Sequence, residues 1–592
     1  MGSRSVNRMM SFRIPDTALE FVMDYIDDPR DRLSVSLVCR RWSEIDALTR
    51  KHITISFCYI TTPARLREKF PRLESLKLKG KPRASMFNLI PEDWGGQGGP
   101  WIREIAENFI CIKCLHFRRM IITDSELEVL ATRRGHMLQS LKLDKCSGFS
   151  TDGLLHIARN CRSLRTFFLE DSAIEEKDGD WLHELATHNT VLDKLNFYNT
   201  NLVNINIADL ELLAQNCPFL NSIKVSDSDA LELKNFFRSA TALEEFAGGS
   251  FNKESPEFDT ISFPQRLRRL GPGFLGRNEM PIIFPRAALL TKLDLLYALL
   301  NTEDHCQLIQ LCPNLEALEA RNVIGDIGLE VVSRSCRRLK RIRIERGADE
   351  EDMEDEQGVV SQRGLSALAQ GCNELLYIAI HVSDINNACL EAIGTYCKNL
   401  RDFRLVLLER EAHITELPLD NGVRALLMGC EELRRFAFYV RNGALTDVGL
   451  GYIGKYSNNI RWMLLGLVGE SDEGLIEFSK GCPNLQKLEM RGCCFSERTL
   501  AILVTQIKSL RYLWVHQPRA PLRINDLLPM VQPNWNIEIF PYRRFDRVEV
   551  DGVETVVEVL AQPDQILAYY SLAGQRRDFP PGSVVPLDLD LD

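Results

Sequence analysis

The chain of 592 residues is 45% hydrophobic and 26% charged, and 72 Lys+Arg against 82 Asp+Glu give it a formal charge of −10. That is a globular balance, long enough for several ordinary cores or one repetitive one, and it excludes wholesale disorder. A net acidic chain is repelled by nucleic-acid phosphates, so any anion it binds has to meet a local basic patch that the total conceals.

The first residues, MGSRSVNRMMSFR, lack the apolar stretch of a signal peptide, and Val6 stands where myristoylation requires Ser or Thr. No apolar run reaches the ~18–20 residues of a membrane-spanning helix, so no membrane partner is expected. The 17 cysteines read as reduced intracellular thiols. Cys111 and Cys114 form a C-x-x-C without a second ligand pair, and are read as repeat-core thiols, with no metal site expected. Residues 1–13 are expected to be a flexible tail.

Two amphipathic helices follow, IPDTALEFVMDYI and DRLSVSLVCRRWSEIDALT. The second is predicted to carry Leu33, Leu37, Val38, Trp42 and Ile45 on one side. A capping segment ahead of a repeat array would have a similar pattern. The core LVCRRW preceded by D-R-x-S-x-S nevertheless resembles the F-box, through Ile14, Pro15, Leu37, Val38, Cys39, Arg41 and Trp42. That resemblance implies docking on the Skp-type adaptor of cullin–RING ubiquitin ligases, with residues 14–55 as the module and Ile14, Pro15, Leu37, Val38, Cys39 and Trp42 as its adaptor-binding residues.

From Leu73 onward an L-x-x-L-x-L motif returns, as in Leu339/Ile342/Ile344, Leu400/Phe403/Leu405 and Leu485/Leu488/Met490. Amphipathic stretches ending in Cys follow many units, among them DIGLEVVSRSC and DEGLIEFSKGC. The period of about 24–27 residues and the total of about 17–18 units predict an α/β leucine-rich-repeat solenoid, a horseshoe of short parallel strands and returning helices. It is assigned residues 56–575 including a C-terminal cap, with 576–592 a flexible C-terminal tail. Two insertions break the period, an apolar, Gly- and Pro-rich loop over 80–101 and an acidic stretch over 348–358. The first is expected to fold over something and the second to be solvated.

Side chains alternate along a strand, so with the motif's apolar positions turned inward the intervening ones line the concave face. Early units contribute Lys77, Lys79, His116, Arg118 and Lys142, with Arg119 one residue beyond. Later ones contribute Arg341, Arg343, Tyr377, His381, Asp402, Arg404, Arg435, Tyr439, Trp462, Leu464, Lys487 and Arg491. Cations dominate this set, and unpaired cations crowded on one wall call for a bound polyanion. A compact phosphorylated small molecule suits it better than a nucleic acid. Tyr439, Trp462 and Leu464, with Phe87 and Leu89 of the inserted loop, add an apolar wall suited to an amphipathic carboxylic acid.

These segments, with KGKPRASMFNLIPEDWGG, RIERGADE, DFRLVLLER, LRRFAFYV, RWMLLG and LEMRGCCFSER, resemble the coronatine-insensitive jasmonate receptors of plants nearly end to end. Arg83, where related auxin receptors carry His, favours jasmonate. The resemblance implies a non-catalytic substrate-recognition subunit of an SCF E3 ubiquitin ligase. Jasmonoyl-isoleucine or its mimic coronatine would attach jasmonate-ZIM-domain repressors to it for ubiquitination and proteasomal degradation, in the nucleus and also the cytoplasm. It implies that Arg83, Arg343 and Arg404 hold the hormone's carboxylate and amide, with Tyr439 and Arg491 at its ketone and Ala84, Phe87, Leu89, Trp462 and Leu464 as the apolar wall. An inositol polyphosphate, expected to be the pentakisphosphate, would lie on Lys77, Lys79, His116, Arg118, Arg119, Arg341, Arg404 and Lys487. His381 departs from the family's pocket-closing Tyr and is expected to shift hormone preference while still donating to a carboxylate. The alternatives are an auxin receptor of this architecture, a ligand-independent F-box receptor for a phosphorylated or acidic substrate, and a scaffold without a ligase connection.

Overall fold

A computed structural model describes residues 14–26, 28–58, 61–81, 96–226, 228–251, 260–346, 359–408, 416–519, 536–540, 543–550, 553–560 and 565–568. Both expected tails, the acidic insertion and most of the apolar one lie outside the described residues. The chain forms two compact units, one of residues 1–82 and 96–189 and one of residues 83–95 and 190–592.

The first unit opens with helices Asp16–Asp24, Pro29–Ser36 and Arg40–Thr49. Leu19, Met23 and Ile45 form their core, with Ile26, Val35 and Trp42 packed against it. Buried Asp46 ties the bundle by pairing with Arg32 at 3.2 Å and Arg50 at 2.5 Å. The second helix predicted from sequence is therefore two. Leu37 and Val38 close a tight turn on Ser34 and Val35, the Ser36 hydroxyl bonds back to the Leu33 carbonyl, and Cys39 is extended. The break divides the predicted apolar side: Ile45 is core and Trp42 half-buried, whereas Leu33, Leu37 and Val38 are exposed, Leu37 by 77%.

Beyond the bundle the strands His52–Ile55, Ser75–Lys79, Cys114–Arg118, Ser140–Asp144 and Thr166–Phe168 pair in parallel, aligning Ile53, Leu76, Leu115, Leu141 and Phe167. Helices Gly99–Asn108, Asp124–Arg134, Thr151–Asn160 and Trp181–His188 return the chain.

The second unit repeats this pattern in a longer parallel ladder running from Lys194–Asn196 through Arg341–Glu345, Tyr377–Val382, Asp402–Leu407, Arg435–Tyr439, Trp462–Gly466 and Lys487–Arg491 to Tyr512–His516 and Asn536–Phe540. The motif's apolar positions fall into register, with Ile342, Ile378, Phe403, Phe436, Met463 and Leu488 on one buried row. Gln565–Ala568 pairs antiparallel with the last strand, and Arg543–Val550 forms a hairpin with Val553–Leu560.

Helix starts are latched to one another along both units. Asp124 accepts from the amide and hydroxyl of Ser150 at 2.7 and 2.6 Å, and Asp472 likewise from Ser496 at 2.8 and 2.5 Å. Asp326 with Ser361, Asp420 with Thr446 and Asp447 with Ser471 repeat the geometry. Each carboxylate holds the N-cap residue of the next helix in place, and the recurrent glycine before leucine makes room for it: a Cβ on Gly364, Gly449 or Gly474 would strike that Asp. The repeat-ending cysteines are buried, and the Cys336 thiol donates to the Cys312 carbonyl at 3.3 Å. Burial pushes both of these thiols up to about 12, so they are packing groups rather than nucleophiles.

Candidate functional site

Strand register sorts the second unit's residues that alternate with the buried positions into rows. One row reads Arg343, Ala379, Arg404, Ala437, Leu464, Glu489, Trp514 across seven neighbouring strands. Two guanidiniums and a leucine thus stand on alternate strands with only methyl groups between them. At a strand spacing of about 4.8 Å, the two arginines are rooted roughly 10 Å apart over a shallow floor. Toward the strands' C-terminal ends a second row reads His381, Val406, Tyr439, Gly466, Arg491, His516. A Cβ on Gly466 would collide with the Tyr439 ring, so the glycine makes the place in which that ring lies. Toward their N-terminal ends a third row runs Arg341, Tyr377, Asp402, Arg435, Trp462, Lys487, Tyr512.

The cations on these rows are paired, against the expectation of an uncompensated wall. Arg404 is gripped through two bonds by Asp402, at 2.8 and 2.9 Å, and its guanidinium stands 5.3 Å from the Tyr377 ring and 5.1 Å from the Trp462 ring. Arg343 donates from Nη1 to Glu319 at 3.2 Å and from Nε to Glu345 at 2.8 Å, and Nη2 reaches the same Glu345 oxygen. Burial alone would loosen the proton on either guanidinium, but the Glu345 and Glu319 carboxylates beside Arg343, and Asp402 beside Arg404, reverse the direction and raise both. Arg341 stacks on Tyr377 at 3.8 Å and Lys487 lies over Tyr512 at 5.3 Å. The Trp462 indole donates to Glu489 at 2.7 Å, a carboxylate only 2% exposed. Arg491 stands over Trp514, which is itself stacked on His516.

The His381 Nδ1 is 3.1 Å from the Ile344 carbonyl, an acceptor, so Nδ1 carries the proton. Donation from Nε2 to a ligand's carboxylate, as expected, then requires a proton on both ring nitrogens.

In the first unit one row holds Lys77, His116 and Lys142 on consecutive strands, and the next holds Lys79, Arg118 and Asp144. Asp144 is the single carboxylate aligned on these two rows, and it draws His116 to 3.3 Å and Arg118 to 3.2 Å. Burial would raise Asp144, but these neighbours hold it below the ordinary aspartate value. Burial, with Arg118 and Lys142 close by, lowers the Lys77 ammonium. Burial likewise lowers His116, against the pull of Asp144. Arg119 follows in the left-handed region, φ 53°, and gives its amide to the Asp144 carbonyl at 2.9 Å.

Arg83, Ala84, Phe87 and Leu89 lie outside the described residues. Cys111 and Cys114 are half-exposed rather than core, with Cys114 on the row next to buried Leu115. In the helical bundle, Ile14, Leu37, Val38 and Cys39 are exposed, as are Phe21, Val22 and Tyr25. Arg41 bonds Asp16 at 2.6 Å and the Ile14 carbonyl, fixing the chain beside Pro15. Sequence reasoning passed over Glu319, Glu345, Glu489, Asp144, Tyr512, Trp514 and His516, although the alternation that selected Arg343 reaches every one of them.

Together the bundle and the ladders define an F-box leucine-rich-repeat protein. The F-box model matches residues 11–52, and the Transport inhibitor response 1 protein domain matches residues 71–117. Coronatine-insensitive protein 1 of Arabidopsis thaliana is 62% identical over 568 residues, 95% of each chain. In Oryza sativa, Coronatine-insensitive protein homolog 1a of subspecies indica is 58% identical over 590 residues, 99% of this chain and 98% of that one. Homolog 1b of subspecies japonica is 58% identical over 593 residues, with the same coverage. The chain belongs to the coronatine-insensitive protein family.

Proposed function

We propose that this protein is the substrate-recognition subunit of an SCF ubiquitin ligase and a jasmonate co-receptor. Jasmonoyl-isoleucine or coronatine completes a surface that then captures jasmonate-ZIM-domain repressors for ubiquitination and degradation. The supporting observation is the row Arg343–Ala379–Arg404–Ala437–Leu464, whose charged and apolar ends match a ligand carrying a carboxylate and a hydrocarbon ring. Tyr439 and Arg491 stand two strands apart on the neighbouring row and are the proposed ketone contacts, and Arg83, Ala84, Phe87 and Leu89 complete the proposed pocket. Ile14, Pro15, Leu37, Val38, Cys39 and Trp42 are the proposed Skp-type adaptor contact, with ubiquitin transfer carried out by partner proteins.

Inositol polyphosphate binding is proposed for Lys77, Lys79, His116, Arg118 and Arg119, and for Arg341, Arg404 and Lys487. Nuclear residence is proposed with the repressor substrates. The test is capture of a repressor peptide by the adaptor-bound full chain with and without coronatine. Capture only with coronatine is expected, and capture undiminished without it would favour a ligand-independent receptor for an acidic substrate.

A further inference from the structure

Arg343 and Arg404 stand on one row but are held in different ways. Asp402, which grips Arg404, is buried, and the guanidinium it holds lies against two aromatic rings. Glu319, on one edge of Arg343, is also buried and is shared with Lys292 at 3.1 Å and Arg341 at 3.9 Å. Three cations around one buried carboxylate fix it in place. Glu345, on the other edge, has a side chain 40% exposed at the last residue of its strand. It takes both Nε and Nη2 of Arg343 on a single oxygen, Oε1. Nε and Nη2 form the guanidinium edge that a bidentate carboxylate uses.

We propose that Glu345 is an internal competitor for the ligand. It occupies the Nε/Nη2 edge of Arg343 in the free protein, and a ligand's carboxylate binds by displacing it toward solvent, while Glu319 keeps Nη1 and the arginine's orientation. The proposal rests on the hormone-pocket reading above. Its consequence is energetic. Carboxylate replaces carboxylate, so the ligand gains only the difference between the two pairings, and Glu345 sets a threshold against anions that pair poorly.

The experiment measures affinity of coronatine and of its methyl ester for the adaptor-bound full chain with a repressor peptide, comparing wild type with Glu345→Gln and Glu345→Asp. Removing the charge, or shortening its reach, is expected to tighten coronatine about 3–10-fold and leave the ester unmoved. Unchanged or weaker coronatine binding overturns the proposal, and so does equal tightening of acid and ester. Loss of both ligands would make Glu345 a residue that merely orients Arg343. If the Gln variant fails to fold, the Asp variant decides by the same criteria. Wild-type protein that binds no coronatine overturns the pocket reading itself, a result visible without any variant.

Discussion

The strand rows that alternate with the buried positions carry cations in both units, to different ends. In the first unit Lys77, His116, Lys142, Lys79 and Arg118 share two rows with one carboxylate, Asp144, and burial, with Arg118 and Lys142 close by, lowers the proton affinity of Lys77. In the second, Arg343 and Arg404 are matched by Glu319, Glu345 and Asp402 and by aromatic faces. A surplus of cations suits a ligand that brings several charges. A compensated guanidinium beside leucine and tryptophan suits one that brings a single charge and an apolar body. Counting basic residues does not distinguish the two; counting the carboxylates on the same strands does.

The largest effect that would break this contrast is in the second unit. Arg343→Ala is expected to weaken coronatine-dependent repressor capture by about 100-fold or more, since charge-assisted bonds of roughly 1.5–3 kcal/mol each are lost together. Adaptor binding should be unchanged in the same pull-down. Next, Lys77→Ala in the first unit should lower the affinity for inositol polyphosphate by about tenfold and reduce its salt dependence, read by calorimetry at two ionic strengths. Equal polyphosphate binding by the variant would show that the surplus has no ligand to serve. Trp462→Phe removes the indole N–H from buried Glu489 and is expected to cost about 1–3 kcal/mol in thermal unfolding, with a few-fold loss of capture.

The helix latches sharpen the comparison because both units have them. Burial would raise Asp124 and Asp472, but their bonds to Ser150 and Ser496 hold both below the ordinary aspartate value. A lowered folded-state value means that the stabilisation is present above about pH 3.9 and is lost as the pH falls through the folded-state value. Asp472→Asn should therefore destabilise by about 1 kcal/mol at neutral pH and converge with wild type under strong acid in denaturant melts. The smallest effect is expected from His381→Tyr, which replaces an imidazole by a phenol. It should reorder the affinities of several jasmonates by a few-fold, and an unchanged ranking would remove His381 from the selectivity of the pocket.

The buried rows could be read from sequence because L-x-x-L-x-L leaves little freedom: Ile342 and Ile344 go inside, and Arg341 and Arg343 must then face the other way. The pairing of Arg343 with Glu345 was within the same reach, since residues two apart share a strand face. Its bond to Glu319 was not, because that needs the register between strands 24 residues apart. The F-box was recognisable by its residues but not by its helix boundaries. Ser36 and Cys39 break a pattern whose apolar spacing continues across them, and the break exposes Leu37 and Val38.

Gly466 contributes no side-chain atom to any ligand, yet the Tyr439 ring occupies the volume its Cβ would fill. The tyrosine's pose is thus encoded one repeat downstream of the tyrosine itself. Any substitution at 466 would change the proposed pocket without altering a proposed contact residue, and searches for hormone-selective variants that mutate only ligand-facing side chains would never sample it. Gly466→Ala offers a way to move a ring while keeping its chemistry intact.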